Sequence, residues 1–296
     1  MASLKEVRNR ISSVNSTQQI TKAMKMVAAA KLRRAQDAIL QMRPYAKKLG
    51  EMLATVSAGA ETAAESPFKQ VRSVENVLIV TVTSDRGLCG AFNTNVIKAA
   101  TALIQEKYAT QAAKGNVEVL ALGKKGGEAF LRRGVTVNTA YMDVYSRLSF
   151  GVVKEAAESI MDDFQSGKYD AVEVVFNEFK NVATQIIRAD QFLPIVADEE
   201  ALKKMPTTAT NYTFEPSEEQ IVQDLIPKTL KIQLYRAVLE SNASEHGARM
   251  TAMDKATDNA QELLKALRLE YNRSRQAAIT KEILEIVGGA EALSQG

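Results

Sequence analysis

The sequence predicts an α/β protein with long helices: the N- and C-terminal helices form an antiparallel coiled coil, and a small, mostly parallel α/β domain lies between them. Three observations support this prediction. Both ends of the chain carry apolar residues at alternating spacings of three and four. In the middle, apolar runs typical of buried strands alternate with helical segments. No apolar stretch approaches the roughly 18 residues that suggest a bilayer-spanning helix.

The N-terminal helix is predicted by a seam that repeats every 3.5 residues, as in a coiled coil. Of its sixteen positions, thirteen are apolar, and the exceptions are Gln18, Thr21 and Lys25. The seam comprises Leu4, Val7, Ile11, Val14, Gln18, Thr21, Lys25, Ala28, Leu32, Ala35, Ile39, Met42, Ala46, Leu49, Leu53 and Val56. We assign residues 1–57 to this helix, with a kink or local loosening at Pro44.

The C-terminal helix, assigned to residues 217–296, carries a second seam. It comprises Met250, Met253, Thr257, Ala260, Leu264, Leu267, Tyr271, Ser274 and Ala278. The seam then changes phase, as at a stutter, and continues with Ile279, Ile283, Ile286, Ala290 and Leu293. Because the two helices bracket a middle domain, the simplest pairing is antiparallel within one chain. A dimer through either helix is the alternative.

Residues 75–195 are predicted to form the α/β domain. The predicted strands cover residues 76–83, 117–122 and 171–176, with an edge strand over 182–192. The predicted helices cover residues 92–107, 128–133 and 152–164. Strands and helices that alternate at this spacing indicate a mostly parallel sheet covered by helices.

Charge is distributed unevenly along the chain. Residues 1–50 carry eleven Lys or Arg against Glu6 and Asp37, whereas the whole chain has a net charge of only +3. A basic N-terminal segment suggests an anionic partner such as nucleic acid, lipid headgroups or an acidic protein. A solvated basic helix face is the alternative interpretation.

Residue patterns for catalysis are missing from the sequence. The turn after the first strand lacks the Gly-x-Gly-x-x-Gly fingerprint, and no P-loop is present. The single Cys and single His exclude a multi-cysteine metal site and leave little room for a catalytic triad. We interpret Cys89 as a small packed residue and His246 as a polar surface residue. The sequence thus predicts no catalytic residue, no cofactor and no metal.

Four segments, in order, resemble the signature segments of the gamma subunit of F-type ATP synthases. They are ITKAMKMVAAAKLRRAQ from Ile20, TSDRGLCG from Thr83, ARMTAMDKATDN from Ala248 and NRSRQAAITKEILEIV from Asn272. The likeness covers nearly the whole chain. It implies a rotor shaft that couples proton flow through a membrane c-ring to ATP synthesis or hydrolysis on the β subunits, without catalysing a reaction itself.

The resemblance also implies partners and a location. The expected partners are the α and β subunits of the catalytic ring, the epsilon subunit and the membrane c-ring, with one copy of this chain per complex and no nucleic acid. The expected location is peripheral, on the cytoplasmic face of a bacterial plasma membrane.

Site residues follow from the resemblance position by position. Lys22, Met24 and Lys25 match the family's contact with an acidic helix-turn-helix loop of β. Arg275 and Gln276 match its polar contact with a catch loop on β. The positions coupled to that contact are Arg249, Thr280 and Glu282.

Two other classes of function stay open on the residues alone. The basic N-terminal segment suggests a coiled-coil nucleic-acid-binding protein, although no recognised binding motif is present. An α/β enzyme with helical oligomerisation arms is the third hypothesis.

Overall fold

A computed structural model describes residues 4–59, 66–195 and 218–294. The chain divides into two compact units, one formed by residues 1–28 with 250–296 and the other by residues 29–249. The two terminal helices are α1 (Leu4–Gly59) and α6 (Glu218–Ser294), and each contributes residues to both units. Helix α1 continues through Pro44, and α6 continues through Pro227.

The first unit is a pairing of α1 with α6. Its seam positions from Leu4 to Ala28 on α1 and from Met250 to Ala278 on α6 are buried or half-buried, including Val7, Ala28 and Leu264. Arg8 contacts Tyr271 and Lys25 contacts Asp254, so residue numbers rise along one helix as they fall along the other. The predicted antiparallel coiled coil is therefore confirmed.

The phase-shifted part of the second seam is not paired. Ile279, Ile283 and Ile286 are all exposed. Since Arg8 already lies at the level of Tyr271, the described part of α1, which begins at Leu4, ends about one turn further along α6. The phase-shifted seam therefore forms an apolar face that the described residues leave uncovered.

The second unit contains a five-stranded sheet. Its strands are β1 (Val77–Val82), β2 (Val117–Leu122), β3 (Thr136–Asn138), β4 (Ala171–Phe179) and β5 (Gln185–Leu193). Their order is β3-β2-β1-β4-β5, and only β5 runs antiparallel to its neighbour. The mostly parallel sheet is confirmed, while the three-residue strand β3 was not predicted.

Four shorter helices belong to this unit. They are α2 (Phe92–Lys107), α3 (Ala109–Ala113), α4 (Lys124–Leu131) and α5 (Phe150–Gln165). Helix α4 begins four residues before the predicted 128, because tertiary contacts override the low helix propensity of Gly126 and Gly127. A Cβ at Gly126 would lie 2.8 Å from Thr83 Oγ1, so this helix can approach the sheet only through glycine.

Apolar packing places helices on both faces of the sheet. Leu78 and Val80 of β1 pack in one cluster with Phe164 of α5 and Leu234 of α6. On the opposite face, Ile79 packs with residues of α2 and with Phe130 of α4. A smaller cluster joins Leu49 of α1 to Leu225 and Ile232 of α6. Within this unit α6 is thus packed between the sheet and α1.

Candidate partner-contact surfaces

Seven of the eight predicted contact residues belong to the coiled-coil unit. Lys22, Met24 and Lys25 lie on α1, and Arg275, Gln276, Thr280 and Glu282 lie on α6. The antiparallel pairing brings Lys25 to the level of Asp254, about 20 residues or 30 Å of helix before Arg275. The structure therefore groups the seven into two patches, which we call the α1 patch (Lys22, Met24, Lys25) and the α6 patch (Arg275, Gln276, Thr280, Glu282).

The α1 patch combines free and engaged side chains. Lys22 is exposed, whereas Met24 and Lys25 are half-buried. The ammonium of Lys25 donates to Asp254 Oδ1 at 2.5 Å. Lys25 can satisfy that bond and still present its other donors, because an ammonium carries three.

The α6 patch is exposed to solvent along its whole length. Arg275, Gln276 and Glu282 present their side chains outward. Thr280 is also exposed, and its hydroxyl donates to the carbonyl oxygen of Gln276 at 2.9 Å. Neither Arg275 nor Gln276 makes a side-chain hydrogen bond or ion pair with the described residues. These groups are available to a partner.

Arg249 lies in the other unit and is engaged within the chain. Its side chain is only 11% exposed, and one guanidinium nitrogen donates to Glu245 Oε1 at 2.5 Å. The other nitrogen donates to the carbonyl oxygens of Arg86 and Gly87 at 3.1 and 3.3 Å. Arg249 thus connects α6 to the turn that follows β1. It is therefore not an exposed charge on the surface of the helix.

The turn after β1 is held by its own side chains. Asn93 accepts from the backbone N–H of Ser84 at 2.9 Å and donates to Ser84 Oγ at 2.8 Å. Cys89 is buried beneath the turn, consistent with its interpretation as a packed residue. Leu88 adopts a φ of 63° and exposes its side chain. A leucine in the left-handed region is uncommon, so the surrounding bonds hold it there.

The N-terminus of α4 is occupied by the chain's own acceptors. Asp85 Oδ1 accepts from the backbone N–H of Lys124 at 3.3 Å, and Thr83 Oγ1 accepts from that of Gly126 at 2.8 Å. Such N–H groups bind phosphate in dinucleotide-binding folds. Burial raises the pKa of Asp85, and the bond to Lys124 opposes that rise.

Helix α6 fills the position where open α/β sheets bind ligands. The chain order reverses between β1 and β4, and ligands bind beyond the carboxyl ends of strands at such a point. Here Ser241 Oγ accepts from the N–H of Asn177 at 3.0 Å, and Ser244 Oγ donates to its carbonyl oxygen at 3.2 Å. Glu240 Oε2 accepts from the N–H of Phe179 at 2.9 Å. Backbone groups that extend past the end of β1 are thereby satisfied by α6.

Burial shifts the protonation of two neighbours of Arg249. It raises the pKa of Glu245, which the Arg249 cation partly offsets. It lowers the pKa of His246 to about 4, and the positive charges of Arg249 and Lys31 act in the same direction. His246 is 8% exposed, so its interpretation as a surface residue is wrong. The reason is that it faces the interior at the end of the sheet-packed part of α6.

Sequence reasoning missed the residues that pair across the coiled coil. Asp254 lies one position after the seam residue Met253, so the 3.5-residue repeat did not mark it. Thr257 and Tyr271 were placed on the seam, but their bonds to Thr21 and Arg8 depend on a register that the sequence alone does not give. A search for opposite charges between the two helices in antiparallel alignment could have found Asp254.

The described part of the chain was also searched for metal sites and for membrane-spanning helices. No group of three or more His, Cys, Asp or Glu side chains is arranged to hold a metal ion there. Among the helices that the structure describes, none is long and apolar enough to cross a bilayer.

Long paired helices with exposed side chains at the predicted contact positions, and a sheet whose ligand position is filled by its own chain, are typical of a coiled-coil interaction protein. A family model described as ATP synthase matches residues 3–293. The ATP synthase gamma chain of Cytophaga hutchinsonii is 60% identical, covering 99% of this chain and 100% of that protein. The one from Chloroherpeton thalassium is 51% identical, covering 100% of this chain and 99% of that protein. The chain belongs to the ATP synthase gamma-chain family.

Solved structures agree with this assignment. A chain of the Tetrahymena thermophila mitochondrial ATP synthase central stalk and c-ring matches with a TM-score of 0.58 and 25% identity, covering 80% of this chain and 99% of that one. A chain of the Euglena gracilis mitochondrial ATP synthase matches with a TM-score of 0.67 and 24% identity, covering 98% and 94%. The comparisons support the rotor hypothesis and not the nucleic-acid alternative.

Proposed function

We propose that the chain is the rotor shaft of an F-type ATP synthase. It couples proton flow through the membrane c-ring to ATP synthesis or hydrolysis on the β subunits by rotating inside their ring, and it performs no chemistry itself. Family membership supports this role. The coupling requires that each β conformation contact the shaft differently, because only differential contacts shift a conformational equilibrium.

One observation carries the proposal: the C-terminal part of α6 has an apolar surface that no described residue covers. Ile283 and Ile286 are 54% and 72% exposed, and Ile279, Leu284 and Val287 are exposed with them. A contiguous exposed apolar surface indicates a protein or membrane contact. We assign it to an apolar sleeve formed by the α and β subunits around the end of the shaft.

The two contact patches divide the polar interactions. We propose that Lys22, with Met24 and Lys25, meets an acidic loop of β, because an exposed ammonium next to an apolar thioether suits an acidic, partly apolar surface. Arg275 and Gln276 bind a second β loop, where a guanidinium forms charge-assisted bidentate bonds. Thr280 and Glu282 extend that patch along the helix.

Arg249 takes a different part in this proposal. Its guanidinium is committed to Glu245 and to the Arg86–Gly87 turn. It therefore acts on a partner through the turn that it holds, which presents Leu88 to solvent.

The remaining partners follow from the same role. We propose that residues 75–195 form the domain that meets the epsilon subunit and the c-ring, while residues 1–57 and 217–296 form the shaft. One copy serves each complex, and the complex lies peripherally on the cytoplasmic face of a bacterial plasma membrane.

The first test is co-purification with the α and β subunits, read by native mass spectrometry and ATPase activity. We expect one copy per six-subunit ring, with activity that depends on this chain. A stable dimer of the chain that does not bind the ring would refute the proposal.

The second test is mutation of the α6 patch in that complex. Arg275→Ala and Gln276→Ala are expected to lower ATP turnover roughly tenfold each, a loss of about 1.4 kcal/mol of differential contact. Arg268→Ala and Gln261→Ala, which change exposed residues of the same types on the same helix, serve as matched controls. Equal effects of test and control variants would remove Arg275 and Gln276 from the site.

A further inference from the structure

A polar layer interrupts the coiled coil next to the α1 patch. Thr21 Oγ1 and Thr257 Oγ1 are 2.8 Å apart, and Lys25 Nζ lies 2.5 Å from Asp254 Oδ1. Thr21 is buried, whereas the side chains of Lys25 and Asp254 are 40% and 49% exposed. We call these four residues the polar layer.

The layer is flanked by apolar seam positions. The nearest buried ones are Ala28 and Met253 on one side and Ala260 on the other. Apolar contact is non-directional, so sliding one helix along the other replaces one apolar contact by another. Polar residues at a coiled-coil seam, in contrast, specify register, because every other alignment leaves a partner unpaired.

Each contact in the layer is specific to one alignment. A slip of one heptad, about 10 Å along the axis, would move Asp254 away from Lys25 and Thr257 away from Thr21. The hydroxyls of Thr21 and Thr257 also lie 3.0 and 2.7 Å from the carbonyl oxygens of Gln18 and Met253. Because each hydroxyl carries one proton, one threonine donates across the layer while the other donates to the carbonyl oxygen of its own helix.

We propose that Asp254 and Thr257 are positioning residues, which fix the register of the coiled coil through Lys25 and Thr21 and so set the spacing between the α1 patch and the α6 patch. This inference rests on the proposed function, since the spacing matters only if both patches meet β subunits. Asp254 also keeps the Lys25 ammonium against the coil, so that Lys22 carries the free positive charge of the α1 patch.

The test is a charge reversal at the Lys25–Asp254 pair in the assembled complex with cysteine-free α and β subunits. The variants are Lys25→Asp, Asp254→Lys and the double exchange. Register is read as the distance between spin labels at Lys5→Cys and Asp258→Cys, two exposed positions on opposite helices. Cys89 is buried and stays unlabelled. The control is the double exchange of Asp224 and Lys228, an exposed pair within one helix.

We expect each single reversal to broaden the distance or displace it by about 10 Å, and to lower turnover roughly tenfold, as misplacement of contacts does. The double exchange should restore the register but not the turnover, because it still removes the Lys25 cation from the α1 patch, and the control should change neither. A register that is unchanged in the single variants, or not restored in the double variant, would overturn the inference.

Turnover separates this inference from the proposed function. If the double exchange restores the register but not the turnover, the positioning role stands and the charge of Lys25 itself meets β. If turnover of the wild-type complex does not depend on this chain, the proposed function fails, while the label distances still decide the register.

Discussion

Glu245 and Arg249 form an ion pair one turn apart on α6, with side chains only 9% and 11% exposed. Two buried charges in contact are stable together, but each is costly alone. The pair also anchors the guanidinium that bonds the turn after β1. Its loss should therefore affect both the helix and the turn.

Arg249→Ala is expected to lower the free energy of unfolding of the full chain by about 3 kcal/mol, because Glu245 stays buried without its cation. Arg249→Lys should cost less, since it keeps the charge but not the planar fork that reaches two carbonyl oxygens. The measurement is urea unfolding at neutral pH. Arg268→Ala, at an exposed position, is the control and should stay within about 0.5 kcal/mol of the wild type. A loss at Arg249 as small as that would contradict a stabilising role for its bonds to Glu245 and to the turn after β1.

His246 should make the chain less stable in mild acid. Its pKa is about 4 in the folded chain and about 6.5 when unfolded. At pH 5 the unfolded chain therefore binds the proton that the folded chain excludes, and stability falls as pH drops from 7 towards 4. The contribution between pH 7 and 5 is about 2 kcal/mol.

The check is urea unfolding of the wild type and of His246→Asn at pH 7 and pH 5. The variant should lose about 2 kcal/mol less over this interval. Glu245 has a raised pKa and acts in the opposite direction, but it is common to both proteins. Because the chain has one His, the difference belongs to this residue. If the unfolding free energies of the two proteins change equally between pH 7 and pH 5, protonation of His246 does not destabilise the folded chain.

Gly123→Ala should prevent stable folding of the sheet unit. Gly123 has a φ of 108°, and a Cβ there would overlap the carbonyl oxygen of Thr83. We expect a loss of about 4 kcal/mol or more, since neither backbone can move without breaking the β1–β2 pairing. Gly134→Ala is the matched control, with a φ of 73° and open space, and should cost about 1 kcal/mol of conformational strain. Equal losses would mean that the close approach is unimportant.

The exposed end of α6 should govern the solubility of the isolated chain. The double variant Ile283→Ser with Ile286→Ser is expected to reduce aggregation, measured by light scattering, because it breaks an apolar surface that this chain does not cover. Its unfolding free energy should change by less than about 0.5 kcal/mol. Leu264→Ser is the buried comparison and should cost roughly 3 kcal/mol. If the double variant aggregates as readily as the wild type, another surface is responsible.

Periodicity was sufficient to predict the coiled coil. Val7, Leu32 and Leu264 are buried because a 3.5-residue repeat brings them to one face. The repeat also marks an apolar face at Ile283, but a repeat does not show whether this chain or another covers that face. The sheet was predictable from apolar runs, whereas β3, with only three residues, carries too little pattern to be seen.

The candidate site was predictable only as far as local sequence determines it. Exposure of Arg275 and Gln276 agrees with their predicted role. The engagement of Arg249 with Arg86 joins residues 163 positions apart, and nothing in the local pattern near either residue indicates it. Burial of His246 has the same origin, because it depends on where the helix meets the sheet.

The packing of α6 beyond the end of β1 turns a site for small molecules into an attachment point for the chain itself. A nucleotide would have to displace an occupant that is covalently part of the chain and packed against the strand ends. The backbone N–H groups of Asn177 and Phe179 donate to this helix from β4, the strand next to the central strand β1. Any twist applied to this stretch of helix is therefore borne by the sheet's hydrogen-bonded interior rather than by a surface loop.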